Sequence, residues 1–437
     1  THLIAGQFAR WYFVDGLSYT ANAALEFRPD GDPVTVTRDV STTDTCNKCH
    51  TRLGLHGGSR RELKYCQVCH DEGTINAQTG NSVYLPELIH KIHMGEQLPS
   101  VEGGTPYQIV TSHGAADYST VSFPQDIRNC TVCHQNGPDA GIYLTRPTRA
   151  GCGACHDRTW FGDPSATPEG FENHPMDFNQ PDDSGCAGCH PATAPGAAPI
   201  SEAHKMPKDF SPGLNLNITN VATAAGPAPG GILVTITFTM ADGAGAPITD
   251  PAAAGASIGA ILAWPATEYQ DYVAASNITA AKTVINNGDG SYVYAFTNPV
   301  SDAAGSYAVA MQGRITFQHD GANVQTGTTS NGLTFFQADG SPAEPRRTVV
   351  TDAKCMDCHE DIRAHGSQRF GVGECLLCHN VNETDIPYRD DSDEVHQKVD
   401  AVTVNFKDMI HRIHTGEELQ SADGYTVIGY RGTPYDF

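Results

Sequence analysis

Residues 210–345 alternate between apolar and polar positions in short runs, a pattern that predicts antiparallel β-strands. Dipeptides that favour turns, such as Asn287-Gly288, separate the runs. We expect a β-sandwich or split-barrel domain here. The four clearest runs are LNLNIT from Leu214, ILVTITFTM from Ile232, SYVYAFT from Ser291 and SYAVAMQGRITF from Ser306.

The first residues of the chain have a similar composition, with the run LIAGQFARWYFVDG from Leu3. We interpret residues 1–40 as the tail of a further β domain followed by a linker. Thr1 is then a processed or trimmed end, and both ends of the chain are internal to a larger architecture.

Two other segments follow a helical period instead. LPELIHKIHMGEQL and FKDMIHRIHTGEEL each place apolar residues three and four positions apart, and each carries two histidines at i and i+3. We predict an amphipathic helix in both. In the first, Leu85, Leu88, Ile89 and Ile92 are available for packing, while His90 and His93 can face two neighbouring groups.

All fourteen cysteines fall into seven copies of Cys-x-x-Cys-His. In a helical turn, positions i, i+3 and i+4 share a face, so both thiols and the imidazole can reach one porphyrin. This is the attachment motif of c-type haem. The predicted thioether residues are Cys46, Cys49, Cys66, Cys69, Cys130, Cys133, Cys152, Cys155, Cys186, Cys189, Cys355, Cys358, Cys375 and Cys378. The predicted proximal iron ligands are His50, His70, His134, His156, His190, His359 and His379.

Two other kinds of site also use paired cysteines. Structural zinc sites also use Cys-x-x-Cys, but they give no reason for a histidine after every pair. A disulfide framework fails because cysteines two residues apart rarely bridge, and no cysteine is left for a longer link. We therefore predict seven covalently bound c-type haems, and a chain that stores or moves electrons.

The haem segments repeat. CNKCHTRLGLHGGSRRELKYCQVCH begins at Cys46, and CMDCHEDIRAHGSQRFGVGECLLCH begins at Cys355. Each copy is followed by one of the predicted helices. We predict a pentahaem domain at 41–209, mostly irregular and α-helical and packed around its haems, then the β domain at 210–345. A partial second multihaem domain with two haems occupies 346–437.

The side chain opposite the proximal histidine decides what each haem can do. If a protein ligand fills that position the iron only passes electrons, whereas an open iron can bind a substrate. The repeat and the motif count select eight distal candidates: His56, His90, His93, His174, His204, His365, His411 and His414. For His2, His113, His319 and His396 a surface or hydrogen-bonded role is favoured.

The second haem segment has two motifs but three distal candidates. We hypothesise that the surplus histidine, His411 or His414, serves a haem outside these 437 residues. Methionine is the other common sixth ligand, but Met94, Met176, Met206 and Met409 are expected to pack against porphyrin. We therefore predict bis-histidine, low-potential haems throughout.

The net charge of −23 disfavours nucleic acids and anionic membranes as partners. No apolar run approaches the length of a membrane span. An acidic loop, Asp390, Asp391, Asp393 and Glu394, is a candidate calcium site, although a solvated insertion is the favoured interpretation. Haem attachment to these motifs takes place outside the cytoplasmic membrane, so the chain must be exported.

Beyond the motifs themselves, FPQDIRNCTVCH from Phe123, CGACHDRTWF from Cys152 and ENHP around His174 are specific. With the Ile-His-x-Ile-His helix, they resemble the OmcA/MtrC family of outer-membrane decahaem cytochromes. The resemblance implies alternating β and pentahaem domains, and it supports the eight distal candidates. Two departures stand out: seven motifs instead of ten, and a β domain without the cysteine pair that family β domains often carry.

The resemblance further implies a location on the extracellular face of the outer membrane, or secretion. Its expected partners are other cytochromes or an outer-membrane electron-transfer complex, with insoluble metal oxides or soluble shuttles such as flavins as acceptors. We expect an electron conduit without a dedicated catalytic site. The alternatives are a subunit of a polymeric cytochrome filament, assembled through haem-to-haem contacts, and, less favoured, a multihaem reductase of an oxyanion.

Overall fold

The structure is a computed structural model that describes residues 1–11, 18–176, 179–279, 284–390, 392–420 and 424–437. Asp391 of the acidic loop and residues 12–17 of the N-terminal run lie outside these ranges. The chain forms two compact units. The first comprises Thr1–Met206 with Asp357–Glu360, and the second comprises Pro207–Met356 with Asp361–Phe437.

The first unit opens with an antiparallel hairpin of β1 (His2–Trp11) and β2 (Ser18–Phe27). Short helices follow: α1 (Thr43–Cys46), α2 (Leu63–Cys66), α3 (Leu85–Met94), α4 (Pro99–Glu102), α5 (Ile142–Thr145), α6 (Arg149–Cys155), α7 (Cys186–Cys189) and α8 (Ile200–Ala203). Between them lie β3 (Gln108–Thr111), β4 (Gly114–Asp117), β5 (Thr159–Trp160) and β6 (Glu172–Asn173). The longest of these helices, α3, is the first predicted amphipathic helix.

The protein part of this unit has almost no hydrophobic core. Among its described residues, the buried hydrophobic side chains are Tyr84, Leu98, Tyr107 and Ala154. A domain of this length normally buries far more apolar surface than that. Its packing therefore depends on groups other than its aliphatic side chains.

The second unit begins with α9 (Pro207–Phe210). Its strands are β7 (Asn215–Ala225), β8 (Gly231–Ala241), β9 (Ala256–Trp264), β10 (Asp271–Ala275), β11 (Val284–Asn286), β12 (Ser291–Ala295), β13 (Val300–Ser301), β14 (Ser306–His319), β15 (Ala322–Gly327), β16 (Ser330–Asn331) and β17 (Thr334–Gln337). The four runs predicted as strands are present as β7, β8, β12 and β14.

These strands form two sheets. One has the order β11-β12-β8-β7-β16, with β13 also pairing to β8, and the other has the order β10-β9-β14-β15, with β17 also pairing to β14. The β16–β7 pair is parallel, and the remaining pairs of the two sheets are antiparallel. Along β8, buried and partly exposed residues alternate strictly, as expected of a strand with one face in the core.

The haem segment of this unit follows, with α10 (Asp352–Cys355), β18 (Arg363–Ala364), β19 (Arg369–Phe370), α11 (Val372–Cys378), α12 (Phe406–Thr415), β20 (Thr426–Ile428) and β21 (Pro434–Asp436). The second predicted amphipathic helix is α12. No helix among the described residues of either unit is long and apolar enough to cross a membrane.

Helix α11 packs against the outer face of one sheet. Strands β9 and β14 are buried on both faces, because one face lies in the core of the sandwich and the other packs against α11. The residues that contact α11 are Ile261, Ala263, Ala308 and Ala310, and on the helix they meet Leu377 and Cys378. Cys378 is the second cysteine of a Cys-x-x-Cys-His motif. The β-sandwich therefore positions this motif directly.

Candidate functional site at the paired histidines

Each Cys-x-x-Cys-His motif lies on or beside a helical turn. In six motifs the backbone N–H of the histidine donates a hydrogen bond of 2.9–3.1 Å to the carbonyl of the first cysteine. This i to i−4 bond closes a turn and brings the three side chains to one side. All fourteen cysteines are free of disulfide bonds, so every thiol remains available for a thioether link.

Six motif histidines each face a second imidazole. The distances between ring centroids lie between 5.8 and 6.4 Å. The pairs are His50–His93, His70–His56, His134–His90, His156–His204, His190–His174 and His379–His365. The structure thus brings His56, His90, His93, His174, His204 and His365 to motif histidines, and it places His411 and His414 on α12.

This spacing fits a metal between the rings. Two metal–nitrogen bonds of about 2 Å, added to the reach of each ring, place the two centroids roughly 6 Å apart. Directly stacked or hydrogen-bonded imidazoles would lie closer together. The residues present therefore fit a haem iron held between two histidines at each of the six places.

Hydrogen bonds fix the tautomer of several rings. Nδ1 of the motif histidines His70, His190 and His379 lies 2.7–3.0 Å from the carbonyl oxygens of Val83, Ala198 and Val404, respectively. Nδ1 of the distal candidates His93 and His204 lies 2.9 and 3.0 Å from the carbonyl oxygens one helical turn earlier. A carbonyl only accepts, so Nδ1 carries the proton and Nε2 keeps its lone pair for a metal.

The surroundings of two distal candidates, His90 and His365, favour the neutral imidazole. Burial, followed by the facing His134 and then His93, lowers the pKa of His90 to about 4. Desolvation by the surrounding protein, followed by the charge of Arg369 and then by His379, lowers the pKa of His365 to about 4. Only a neutral imidazole can donate its lone pair to iron, so both shifts favour ligation at neutral pH.

His56 and His365 have unusual backbones. Their φ angles are +51° and +55°, in the left-handed region that favours glycine. Each sits in a tight loop, and the loop of His365 joins β18 to β19. A histidine held in this conformation in both copies indicates that the side chain is required there.

Helix α3 serves two motifs at once. His93 faces His50, and His90, one turn earlier on the same side, faces His134. The i, i+3 spacing thus places each of the two imidazoles beside a different motif histidine. Nδ1 of His90 is buried and has no hydrogen-bond partner among the described residues.

The short segment Asp357–Glu360 packs within the first unit. Cys358 Sγ lies 3.5 Å from the carbonyl oxygen of Lys48, and Cys49 Sγ lies 3.7 Å from that of Asp357. Nδ1 of His359 is 3.1 Å from the carbonyl oxygen of Pro124. Two attachment cysteines, Cys49 and Cys358, are therefore adjacent.

Four histidines set apart from the ligand candidates lie elsewhere. His396 is buried, and its Nδ1 accepts from the Asp390 N–H while its Nε2 donates to the Gly432 carbonyl. His319 stacks on Phe210 at 3.7 Å. His2 stacks on Phe27, and His113 is exposed in the turn between β3 and β4.

In the described part of the candidate calcium loop, two carboxylates accept hydrogen bonds from backbone N–H groups of the loop itself. Asp390 accepts from the backbone of Ser392, and Asp393 accepts from that of Val395. In the described ranges, no group of three or more His, Cys, Asp or Glu side chains is placed to hold one metal ion.

Sequence reasoning missed the backbone carbonyls that orient the histidines. Any residue supplies a carbonyl, so nothing in the sequence marks Val83, Ala198 or Val404 for this role. It also missed Arg369, whose charge contributes to the lowered pKa of His365, although the repeat could have identified this position, since Arg60 likewise follows a distal candidate by four residues in the first copy.

The chain matches the family described as outer membrane cytochrome MtrC/MtrF-like, domains II/IV, over residues 38–205 and 347–434. A comparison with curated proteins finds no match. The crystal structure of the outer-membrane decahaem cytochrome OmcA is similar, with a TM-score of 0.60 and 22% identity over 83% of this chain and 56% of that one. MtrC from Shewanella baltica OS185 has a TM-score of 0.58 and 18% identity over 84% of this chain and 61% of that one.

At these identities the two solved structures establish a shared fold, and this chain spans less than two thirds of the length of either. The residues matched to the family, 38–205 and 347–434, make up more than half of the chain. The chain therefore belongs to the family of MtrC/MtrF-like outer-membrane cytochromes.

Proposed function

We propose that this chain relays electrons through bis-histidine c-type haems to acceptors outside the cell. The observation that carries the proposal is the set of six imidazole pairs at 5.8–6.4 Å, each formed by a motif histidine and a distal candidate. Haem supplies a one-electron couple when bound. With both axial positions taken by protein, such a site leaves no place for a substrate on the iron.

The roles of the residues follow from this arrangement. The paired cysteines would hold the porphyrin covalently, and the fourteen thiols would suffice for seven haems. The motif histidines would be the proximal ligands, and the distal candidates would bind the iron from the opposite side. Carbonyls such as that of Val83 keep Nδ1 protonated and the ring correctly oriented.

The elements also suggest a partial order for electron transfer. His90 and His93 on α3 would hold the haems of the His134 and His50 motifs next to each other. The contact between Cys49 and Asp357 would place the haem that Cys358 binds beside that of His50. Electrons would then pass through these three haems in sequence.

The repeat assigns the surplus histidine. His90 pairs with the third motif of the first copy, and its repeat equivalent is His411, for which these 437 residues contain no third motif. His414 is the equivalent of His93, which pairs with the first motif of its copy. We assign His411 as the ligand for a haem attached outside these residues.

The location and partners rest on family membership. We place the protein on the extracellular face of the outer membrane, or in secreted form, in contact with other cytochromes of an electron-transfer complex. Insoluble metal oxides and soluble shuttles such as flavins are the proposed acceptors. A net charge of −23 suits a soluble surface that meets cationic metal centres.

The test is electron paramagnetic resonance of the fully oxidised holoprotein. Only low-spin ferric signals are expected, because under this proposal every iron would have two histidine ligands. His365→Ala should convert one haem in seven to a high-spin form, since its pair with His379 is lost. The control His113→Ala, at an exposed turn, should leave the spectrum unchanged. A substantial high-spin signal in the unmodified protein would instead indicate an open iron and favour the oxyanion-reductase alternative.

The surplus His411 also motivates the filament alternative. If a neighbouring subunit supplies the haem that His411 binds, the purified protein will assemble, and His411→Ala will abolish the assembly. Sedimentation of the wild-type and variant holoproteins measures this directly. A monomeric wild-type protein over a wide concentration range would exclude the filament.

A further inference from the structure

The loops that carry His56 and His365 share one backbone conformation. In each copy three consecutive residues have φ in the left-handed region: residues 56–58 at +51°, +73° and +74°, and residues 365–367 at +55°, +67° and +63°. The two ends of each turn pair across it. A residue other than glycine keeps such a conformation only where the surrounding structure holds it. Each loop therefore needs an anchor outside itself.

In the first copy the anchor is Asn22, on strand β2. Its Nδ2 donates to the carbonyl oxygen of Ser59 at 3.2 Å, and its Oδ1 accepts from the N–H of Arg61 at 2.7 Å. The hydroxyl of Thr20, on the same strand, donates to the carbonyl oxygen of Gly58 at 3.4 Å. One amide side chain thus binds both a carbonyl and an N–H of the segment that returns from the histidine.

In the second copy the β-sandwich supplies the anchor. The backbone N–H of Gly313, on β14, donates to the carbonyl oxygen of Gln368 at 2.9 Å. Gln368 is the repeat equivalent of Ser59. Asn331, on β16, donates from Nδ2 to the carbonyl oxygen of Phe370 at 2.9 Å. In both copies, therefore, an asparagine of the preceding β structure holds the segment that follows the distal candidate.

We infer that Asn22 and Asn331 are positioning residues that hold the loops of His56 and His365, so that the β structure before each haem segment fixes one distal ligand of that segment. The inference rests on the proposed function, because it takes these two histidines as iron ligands. Their ring centroids lie 6.1 and 6.0 Å from those of the motif histidines that they face. A ligand set works only while each side chain is held in this geometry by its supporting residues.

Loss of an anchor should act on the ligand through the backbone. Without the amide, the residues in the left-handed region are free to relax, and the imidazole then moves out of line with the motif histidine. The iron would lose its sixth ligand and become high-spin, while both thioether links remained in place. The asparagine itself would exchange neither a proton nor an electron.

The experiment is electron paramagnetic resonance of the fully oxidised holoprotein. Asn22→Ala should produce a high-spin ferric signal of up to one haem in seven, and added imidazole should return it to low spin. The matched control is Asn286→Ala. Asn286, on β11, likewise donates to the carbonyl oxygen of Thr249 and accepts from the N–H of Gly288, both at 2.8 Å, but these bonds hold neither histidine loop. Its spectrum should match that of the unmodified protein.

A double variant separates positioning from a general loss of stability. Asn22→Ala combined with His56→Ala should show no more high-spin haem than His56→Ala alone, since both changes act on the same iron. A larger signal would overturn the inference, because the asparagine would then act on another haem. A wholly low-spin Asn22→Ala protein with all seven haems attached would also overturn it, as would an equal high-spin signal in Asn286→Ala.

The second copy provides an independent comparison if Asn22→Ala does not assemble with its haems. Asn331→Ala should give the same high-spin signal, and its double variant with His365→Ala should again show no more than His365→Ala alone. The outcome is separable from the proposed function. High-spin haem in the unmodified protein counts against bis-histidine ligation, whereas low-spin spectra in both the unmodified protein and the asparagine variants refute only the role of the asparagines.

Discussion

At the scale of single residues, Glu374 is unusual because it is a buried carboxyl group with a strongly raised pKa. It is 1% exposed, and its Oε2 accepts from the Phe370 N–H at 2.9 Å and from Asn331 at 3.2 Å. Its Oε1 is buried with no hydrogen-bond partner among the described residues. Burial raises the pKa of Glu374 to about 7, although these bonds and the charge of Arg369 lower it.

This shift predicts a pH-dependent stability. The unfolded chain loses the Glu374 proton near its ordinary pKa of 4.5, whereas the folded protein keeps it until about pH 7. Because the folded state binds more protons in this window, stability falls as the pH rises through it. Above the window the cost is about 3 kcal/mol. Glu374→Gln should therefore be more stable than the wild type at pH 8 and similar at pH 4.

Denaturant unfolding at both pH values measures this difference. Glu172→Gln, at an exposed position in β6, is the control and should change stability at neither pH. Equal effects of Glu374→Gln at pH 4 and pH 8 would show that Glu374 is ionised in the folded protein.

At the scale of elements, α3 and α12 end in the same way but in different surroundings. Both are followed by a glycine in the left-handed region, Gly95 with φ +47° and Gly416 with φ +52°. A Cβ on Gly95 would lie 2.1 Å from the carbonyl oxygen of Val121, whereas a Cβ on Gly416 would meet nothing within 4 Å. The end of α3 is thus held against a neighbouring segment.

Gly95→Ala should therefore cost more than Gly416→Ala. The second substitution adds only backbone strain of about 1 kcal/mol. The first adds a clash with a backbone atom, for a total of roughly 3 kcal/mol, and moves His93 away from His50. Thermal unfolding measures the two costs, and a high-spin haem signal in Gly95→Ala alone would report the displaced ligand. Equal losses of stability in the two variants would mean that the segment around Val121 moves aside for the added Cβ without a cost in stability.

At the scale of the whole molecule, the net charge of −23 governs encounters with acceptors. Raising the ionic strength from about 0.01 M to 0.15 M shortens the screening length from roughly 30 Å to 8 Å. Oxidation of the reduced protein by an anionic flavin should then become faster, and oxidation by a cationic ruthenium ammine should become slower. Stopped-flow kinetics at several salt concentrations measures both. A flavin reaction slowed by salt would point to a local basic docking surface.

The sequence by itself determined the local chemistry. Thiols and imidazole of a motif lie within four residues of one another, so a single helical turn suffices to bring them together. Strands such as β8 and helices such as α3 could likewise be predicted, because the spacing of their apolar residues reflects one buried face. The family resemblance also followed from contiguous residues. None of these features depends on how distant segments meet.

Only the tertiary structure decided which histidine meets which motif. His90 and His134 are 44 residues apart, and His156 meets His204 across the intervening His190 motif. Such pairs depend on how intervening loops close and pack, which carries no signature in the spacing of residues. The packing of α11 on β9 and β14 could not be predicted either. Small residues such as alanine allow two elements to approach closely, but the sequence does not say which element packs against them.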